Sequence, residues 1–133
     1  MIHTTAVPTG EHCQLVDVTS KVQKAVRDAG LKSGYVICYV PHTTAGITIQ
    51  ENADPDVIHD FLWKLAELVP HDESSYRHNE GNSDAHIKAS LVGASQTILV
   101  EDGSLVLGTW QGIYFCEFDG PRQRKMHIRC FAG

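Results

Sequence analysis

The segment "TILVEDGSLVLG" (residues 97–108) carries the pattern that decides the fold class. Two apolar arms flank Asp102 and Gly103, the dipeptide suited to a two-residue reversal with left-handed backbone, so the segment reads as a tight β-hairpin. Upstream, "YVICYVPH" (35–42) and "GITIQEN" (46–52) carry the β-branched and aromatic residues of further strands. Downstream, "TWQGIYFCEF" (109–118), "DGPR" (119–122) and "QRKMHIRCF" (123–131) predict a second hairpin, with turn residues grouped where the chain must reverse.

Three helices interrupt the strands. "TSKVQKAVRDAG" (19–30) has Thr19 as a cap, Val22, Ala25, Val26 and Ala29 at helical spacing, and Gly30 as its stop. In "DPDVIHDFLWKLAELVP" (54–70), Asp54 caps, Pro55 fits the first turn, and Val57, Ile58, Phe61, Leu62, Leu65, Leu68 and Val69 form a stripe expected to be buried. A shorter helix starts at Ser83 and stops near Gly93, with Ile87 and Leu91 expected inward. No linker, repeat or low-complexity segment divides the chain, so residues 1–133 form one domain. Between the second and third helices lies the polar segment "HDESSYRHNEGNS" (71–83), long enough without regular structure to be a candidate functional loop.

Composition narrows the partners. Hydrophobic residues make up 42% and charged residues 20% of the chain, and the formal net charge is −5, so no overall basic field favours nucleic acid or anionic lipid. Any anionic ligand requires a local site. Cys13, Cys38, Cys116 and Cys130 stand singly in apolar runs with no CxxC pair, and read as buried thiols. The N-terminus lacks the basic and apolar regions of a signal peptide, and a cytoplasmic address is expected. No GxSxG elbow, Walker loop or GxGxxG after a strand is present.

Chemistry concentrates in a few places. His42 ends an extended run, where its imidazole offers a metal ligand and Thr43 and Thr44 offer hydroxyls to an anion; the plainer alternative is a turn after Pro41. In "RHNEGNSDAHIKAS" (77–90), His78 and His86 are eight residues apart, too far to share a helix face, and by spacing alone a capped polar loop competes with a site. There a helix N-terminus would attract phosphate or carboxylate, and Lys88 would add charge. "QENADPD" (50–56) gathers Glu51, Asn52 and Asp54 where a strand becomes a helix, oxygen ligands of the kind that hold magnesium around phosphate. Gln111 and Glu117 share a strand face; a buried glutamate needs a partner, and Arg124 or a neighbouring subunit would supply it. His3, His12 and His71 read as surface side chains, and His127 as projecting away from the apolar face.

Taken together, "HTTAGITIQENADPDV" (42–57), "HNEGNSDAHIKASLVG" (78–93) and "GTWQGIYFCEFDGPRQRK" (108–125) resemble the YjbQ-like family, often labelled secondary thiamine-phosphate synthase. The resemblance implies an α+β fold, largely antiparallel β-sheet with packed helices, that assembles as a homotrimer. It also implies a low activity joining an aminopyrimidine diphosphate to a thiazole phosphate with loss of pyrophosphate. Carried onto this chain, it proposes His42, His78 and His86 as ligands of a divalent metal, zinc or magnesium. Glu51, Asp54, Glu80, Lys88 and Glu117 take catalytic roles, and Thr43, Asn52, His59, Asp60, Gln111 and Arg124 bind substrate. The partners implied are a small phosphorylated metabolite and further copies of the chain, with no nucleic acid or membrane. Two other functions fit the same residues. One is metal-assisted hydrolysis of a small phosphorylated metabolite, with Glu80 or Glu117 as general base. The other is a non-catalytic trimer that binds such a metabolite.

Overall fold

The computed structural model describes all 133 residues. In chain order the elements are β1 (His3–Pro8), β2 (Gln14–Asp17), α1 (Thr19–Asp28), β3 (Gly34–Tyr39), β4 (Ala45–Glu51), α2 (Pro55–Leu68), α3 (Ser83–Val92), β5 (Ser95–Glu101), β6 (Ser104–Leu105), β7 (Gln111–Glu117) and β8 (Gln123–Ala132). The strands form two antiparallel sheets, one ordered β1-β8-β3-β5-β6 and one ordered β2-β7-β4. The fold is the α+β class that the resemblance implies. No helix is long and apolar enough to cross a membrane.

The hairpin at 97–108 forms as read. Val100 pairs with Leu105 and Glu101 with Ser104, and Asp102 and Gly103 both adopt positive φ, at 52° and 77°. The second expected hairpin does not form. β7 pairs with β2 and β4, whereas β8 pairs with β1 and β3, so the turn at 119–122 carries the chain from one sheet into the other. The turn residues reverse the chain, but the two strands they join have their edges taken by other partners.

One core of 17 buried apolar residues lies among α1 and the two sheets, including Val22, Val36, Ile47, Phe115, Met126 and Ile128. Each large side chain there contributes about 1.5–3 kcal/mol by leaving water. A smaller cluster of Ala85, Ala89, Cys116 and Phe118, with Leu62 and Leu65 against it, packs α2 and α3 on the three-stranded sheet. Of the four free thiols, Cys38 and Cys116 are buried and Cys13 and Cys130 half-buried.

α2 keeps its expected orientation but is only partly covered, whereas α3 is rotated from it. α2 begins as predicted, with Asp54 accepting from the Asp56 N–H at 2.9 Å and Pro55 in the first turn. None of its residues is fully buried, however, and Leu68 is 67% exposed: within one chain the apolar stripe is only partly covered. α3 turns Ile87 and Leu91 outward and buries Asp84, Ala85, Lys88 and Ala89 instead. The small alanines permit close approach to β4, where a side chain at Gly46 would run into the Gly93 carbonyl and Val92. Asp84 and Lys88, one turn apart, neutralise each other at 3.3 Å, which makes that polar face buriable.

Where the chain passes between the sheets, a buried ion pair ties them together. Arg124 donates from Nε to Glu117 Oε1 (2.8 Å) and from Nη2 to Oε2 (2.6 Å). Glu117 also accepts from the Thr9 hydroxyl at 2.7 Å and the Asp119 N–H at 2.9 Å. The Arg124 Nη2 donates as well to the Thr44 hydroxyl at 2.7 Å. Thr9 follows β1, Arg124 lies in β8, Glu117 ends β7 and Thr44 precedes β4, so the cluster spans both sheets. A side chain at Gly120 would collide with Glu117 and the Glu11 carbonyl, so the turn between the sheets requires glycine for space.

Burial works against the Glu117 charge, but the Arg124 guanidinium, the Asp119 N–H and the Thr9 hydroxyl outweigh it and hold the carboxyl below its usual range. A depressed folded-state value stabilises the protein above the unfolded carboxylate pKa, about 4.3, and that stability is lost as pH falls through the folded value. Arg124→Met therefore costs about 3–5 kcal/mol near pH 7 in urea unfolding, because it strands a buried carboxylate. The gap between parent and variant then narrows as pH falls, beginning where the stranded Glu117 of the variant protonates, above the unfolded carboxylate value of about 4.3, and ending as Glu117 of the parent protonates below it. A gap that is small at pH 7, or that does not change with pH, would contradict this role.

Candidate functional site

With Glu117 and Arg124 committed to each other and Lys88 to Asp84, the residues left to meet a ligand are mostly imidazoles and hydroxyls around α3. His86, half-buried, borders two clefts. On one side it lines an open cleft of about 540 Å³ with Ser75, Arg77, His78 and Ser83. On the other it lines a cleft of about 570 Å³ with His42, Thr43 and Ser90. Each is large enough for a small metabolite. The His78 and His86 rings meet edge to face with centroids 5.5 Å apart, and His78 Nε2 lies 3.8 Å from Glu80. α3 presents its first turn beside the Arg77 cleft, where backbone N–H groups and the helix dipole favour an anion.

His42 sits against the core with its ring edge-on to Phe115, and its Nε2 accepts the Lys125 N–H at 3.1 Å. The neutral ring therefore carries its proton on Nδ1 and acts as a donor. Burial first, then the nearby Arg124 charge, lowers its pKa. The two threonines that follow divide the work: Thr44 turns inward to Arg124, and Thr43 stays exposed on the cleft.

The "QENAD" corner is elsewhere. It lies at the opposite end of β4 from His42, and seven residues of strand, at roughly 3.3 Å each, put about 20 Å between them. At that corner Glu51 accepts from the Asp54 N–H (3.3 Å), and the Asn52 amide donates to the Gln111 carbonyl (3.3 Å). Gln111 Oε1 in turn accepts from the Gly108 N–H at 2.7 Å. Glu51, Asn52, Asp54 and Gln111 thus anchor the start of α2 to the start of β7. His59 and Asp60 pair with each other at 3.0 Å on the exposed face of α2 and line neither cleft.

The structure does not assemble the expected metal triad within one chain. The one group of three donor residues whose ligand atoms all lie within 4.8 Å of one another is His12, His71 and Asp84, not His42, His78 and His86. The acceptor lone pair of neutral His42 is already engaged by Lys125. His12 and His71, which read as surface residues, were hidden because three separate elements bring them to Asp84. Arg77 was within the polar segment, but nothing in its spacing distinguished it from a solvated arginine.

The comparisons agree with this architecture. Residues 3–133 match the model of the family described as UPF0047 protein YjbQ-like. The chain is 51% identical to the UPF0047 protein YugU of Bacillus subtilis, over 97% of this chain and 98% of that protein. It is 53% identical to a UPF0047 protein of Methanocaldococcus jannaschii, over 92% of this chain and 88% of that one. A crystal structure of an uncharacterised YjbQ/UPF0047 protein from Clostridium acetobutylicum superimposes with a TM-score of 0.95 at 52% identity, covering 97% and 99% of the two chains. A conserved hypothetical protein from Thermus thermophilus gives 0.91 at 44% identity over 97% and 99%. With its fold, its motifs and nearly its whole length matched, the chain belongs to the YjbQ-like UPF0047 family.

Proposed function

We propose that the protein couples two small phosphorylated metabolites, with a low thiamine-phosphate synthase activity as the reaction to test first. The observation that carries this reading is that His86 lines both clefts, so two substrates held on either side would meet at one imidazole. The Arg77 cleft, with His78, Ser75, Ser83 and the α3 N-terminus, suits the diphosphate of the aminopyrimidine substrate. The cleft with His42, Thr43 and Ser90 suits the thiazole phosphate. In the coupling, the carbon–oxygen bond to diphosphate breaks, a carbon–nitrogen bond to the thiazole ring forms, and the bonding pair leaves on pyrophosphate. Arg77, His78 and His86 would neutralise the charge that grows on the leaving oxygens, and positioning supplies the rest. No step is assigned to a metal at His42, His78 and His86, because these residues do not form an ion-sized group in the chain.

In the same reading the working form is a homotrimer. The outer side of α2, where Leu68 of the stripe is 67% exposed and Trp63 beside it 55% exposed, is the kind of surface a neighbouring copy covers. A neighbour is also the means by which Glu51, Asn52, Asp54 and Gln111, or His59 and Asp60, would reach the clefts of another copy. Glu80 acts through His78, while Lys88, Glu117 and Arg124 hold the scaffold of the site.

Incubating the protein with both substrates should yield thiamine phosphate and pyrophosphate together, and His86→Ala should lower the rate about a hundredfold. Phosphate release from either substrate alone would point instead to the hydrolase, and binding without turnover to the metabolite-binding trimer. In an NMR titration, His42 should lose its proton below the usual imidazole value of about 6.5, so that it is neutral near pH 7. Titration at or above that value would remove its assigned role as a neutral donor.

A further inference from the structure

We infer that His12, His71 and Asp84 form a binding site for a zinc-like divalent ion, separate from the two clefts and structural in purpose. The three side chains come from the turn between β1 and β2, from the residue after Pro70, and from the first turn of α3, and their ligand atoms all lie within 4.8 Å of one another. Asp84 is the fixed member. It is 1% exposed, with Oδ1 at 3.1 Å from His71 Nδ1 and Oδ2 at 3.3 Å from Lys88 Nζ. The two imidazoles are the mobile members. Both residues are exposed, and their rings stand edge to face with centroids 5.8 Å apart.

The chemistry selects the ion. Lys88 already balances the Asp84 charge, so the site offers two neutral imidazole nitrogens and little net negative charge. Magnesium and calcium, which want six or more oxygens, gain little from such a set, whereas zinc takes imidazole and carboxylate together. Tetrahedral zinc, with bonds of about 2.0–2.1 Å, places its ligand atoms roughly 3.3 Å apart. The present spacing of up to 4.8 Å is wider, and the two exposed imidazoles are the members that would turn inward on binding, toward a buried Asp84. The solvent side leaves the fourth position for water.

The ion would pin the segment that follows α2 to α3 and to the β1–β2 turn. Further along that segment come Ser75, Arg77 and His78, which wall one cleft. Binding would therefore order the cleft wall without touching a substrate. The site does not depend on which reaction the clefts support.

Zinc alone is titrated into the metal-free protein and into His12→Ala, His71→Gln and His78→Ala variants by calorimetry, with thermal unfolding recorded in parallel. The parent should bind one zinc ion per chain. Affinity should fall at least tenfold in H12A and in H71Q and stay within about twofold in H78A. Zinc should raise the unfolding temperature of the parent but not of H12A. Absence of zinc binding by the parent, undiminished binding in H12A and H71Q, or loss of binding in H78A would each overturn the assignment.

Discussion

The structure turns on a guanidinium and a carboxylate removed from water at the place where the two sheets meet. Glu117 is the last residue of one sheet's central strand and Arg124 lies near the start of a strand in the other. Isolated, either charge would be ruinous in that position. Paired through two hydrogen bonds and completed by Thr9, Thr44 and the Asp119 N–H, they define how the chain leaves one layer and enters the next. Asp84 and Lys88 repeat the arrangement on a smaller scale under α3. The conspicuous charged residues of the family motifs are in this way largely consumed by the scaffold.

That division of labour shapes the site. Side chains that remain open around α3 are His42, Thr43, Ser90, His78, His86 and Arg77, a set suited to phosphate and to stabilising a leaving anion. β4 works as a spacer, holding His42 at one end and the Glu51 corner at the other. Two clusters of polar residues thus stand at opposite ends of one short strand and face different surroundings.

Much of this was legible in the residues, and the failures have identifiable causes. The Asp102-Gly103 hairpin, the Asp54-Pro55 helix start and the span of α3 all rest on local chemistry, and all appear in the structure. The second hairpin failed because a turn signal says only that the chain reverses, not which strand will be its partner. α3 is rotated from its expected orientation: Ile87 and Leu91 carry the apolar signal, whereas a self-neutralised Asp84–Lys88 pair between alanines packs closer to β4. The residues leave Arg124 and a neighbouring subunit as partners for a buried Glu117, and Arg124 is the one that pairs with it. His12 and His71 are exposed as read, but their convergence with Asp84 joins three distant segments and leaves no periodic trace.

The proposed coupling stands or falls on where pyrophosphate binds. A crystal structure of the protein with pyrophosphate is the most direct measurement. It should show the anion in the cleft lined by Arg77, His78 and His86, with the Glu117–Arg124 and Asp84–Lys88 pairs intact. Pyrophosphate held by an Arg124 or Lys88 released from its carboxylate, or seated at the Glu51 corner of the same chain, would contradict the division between scaffold and site.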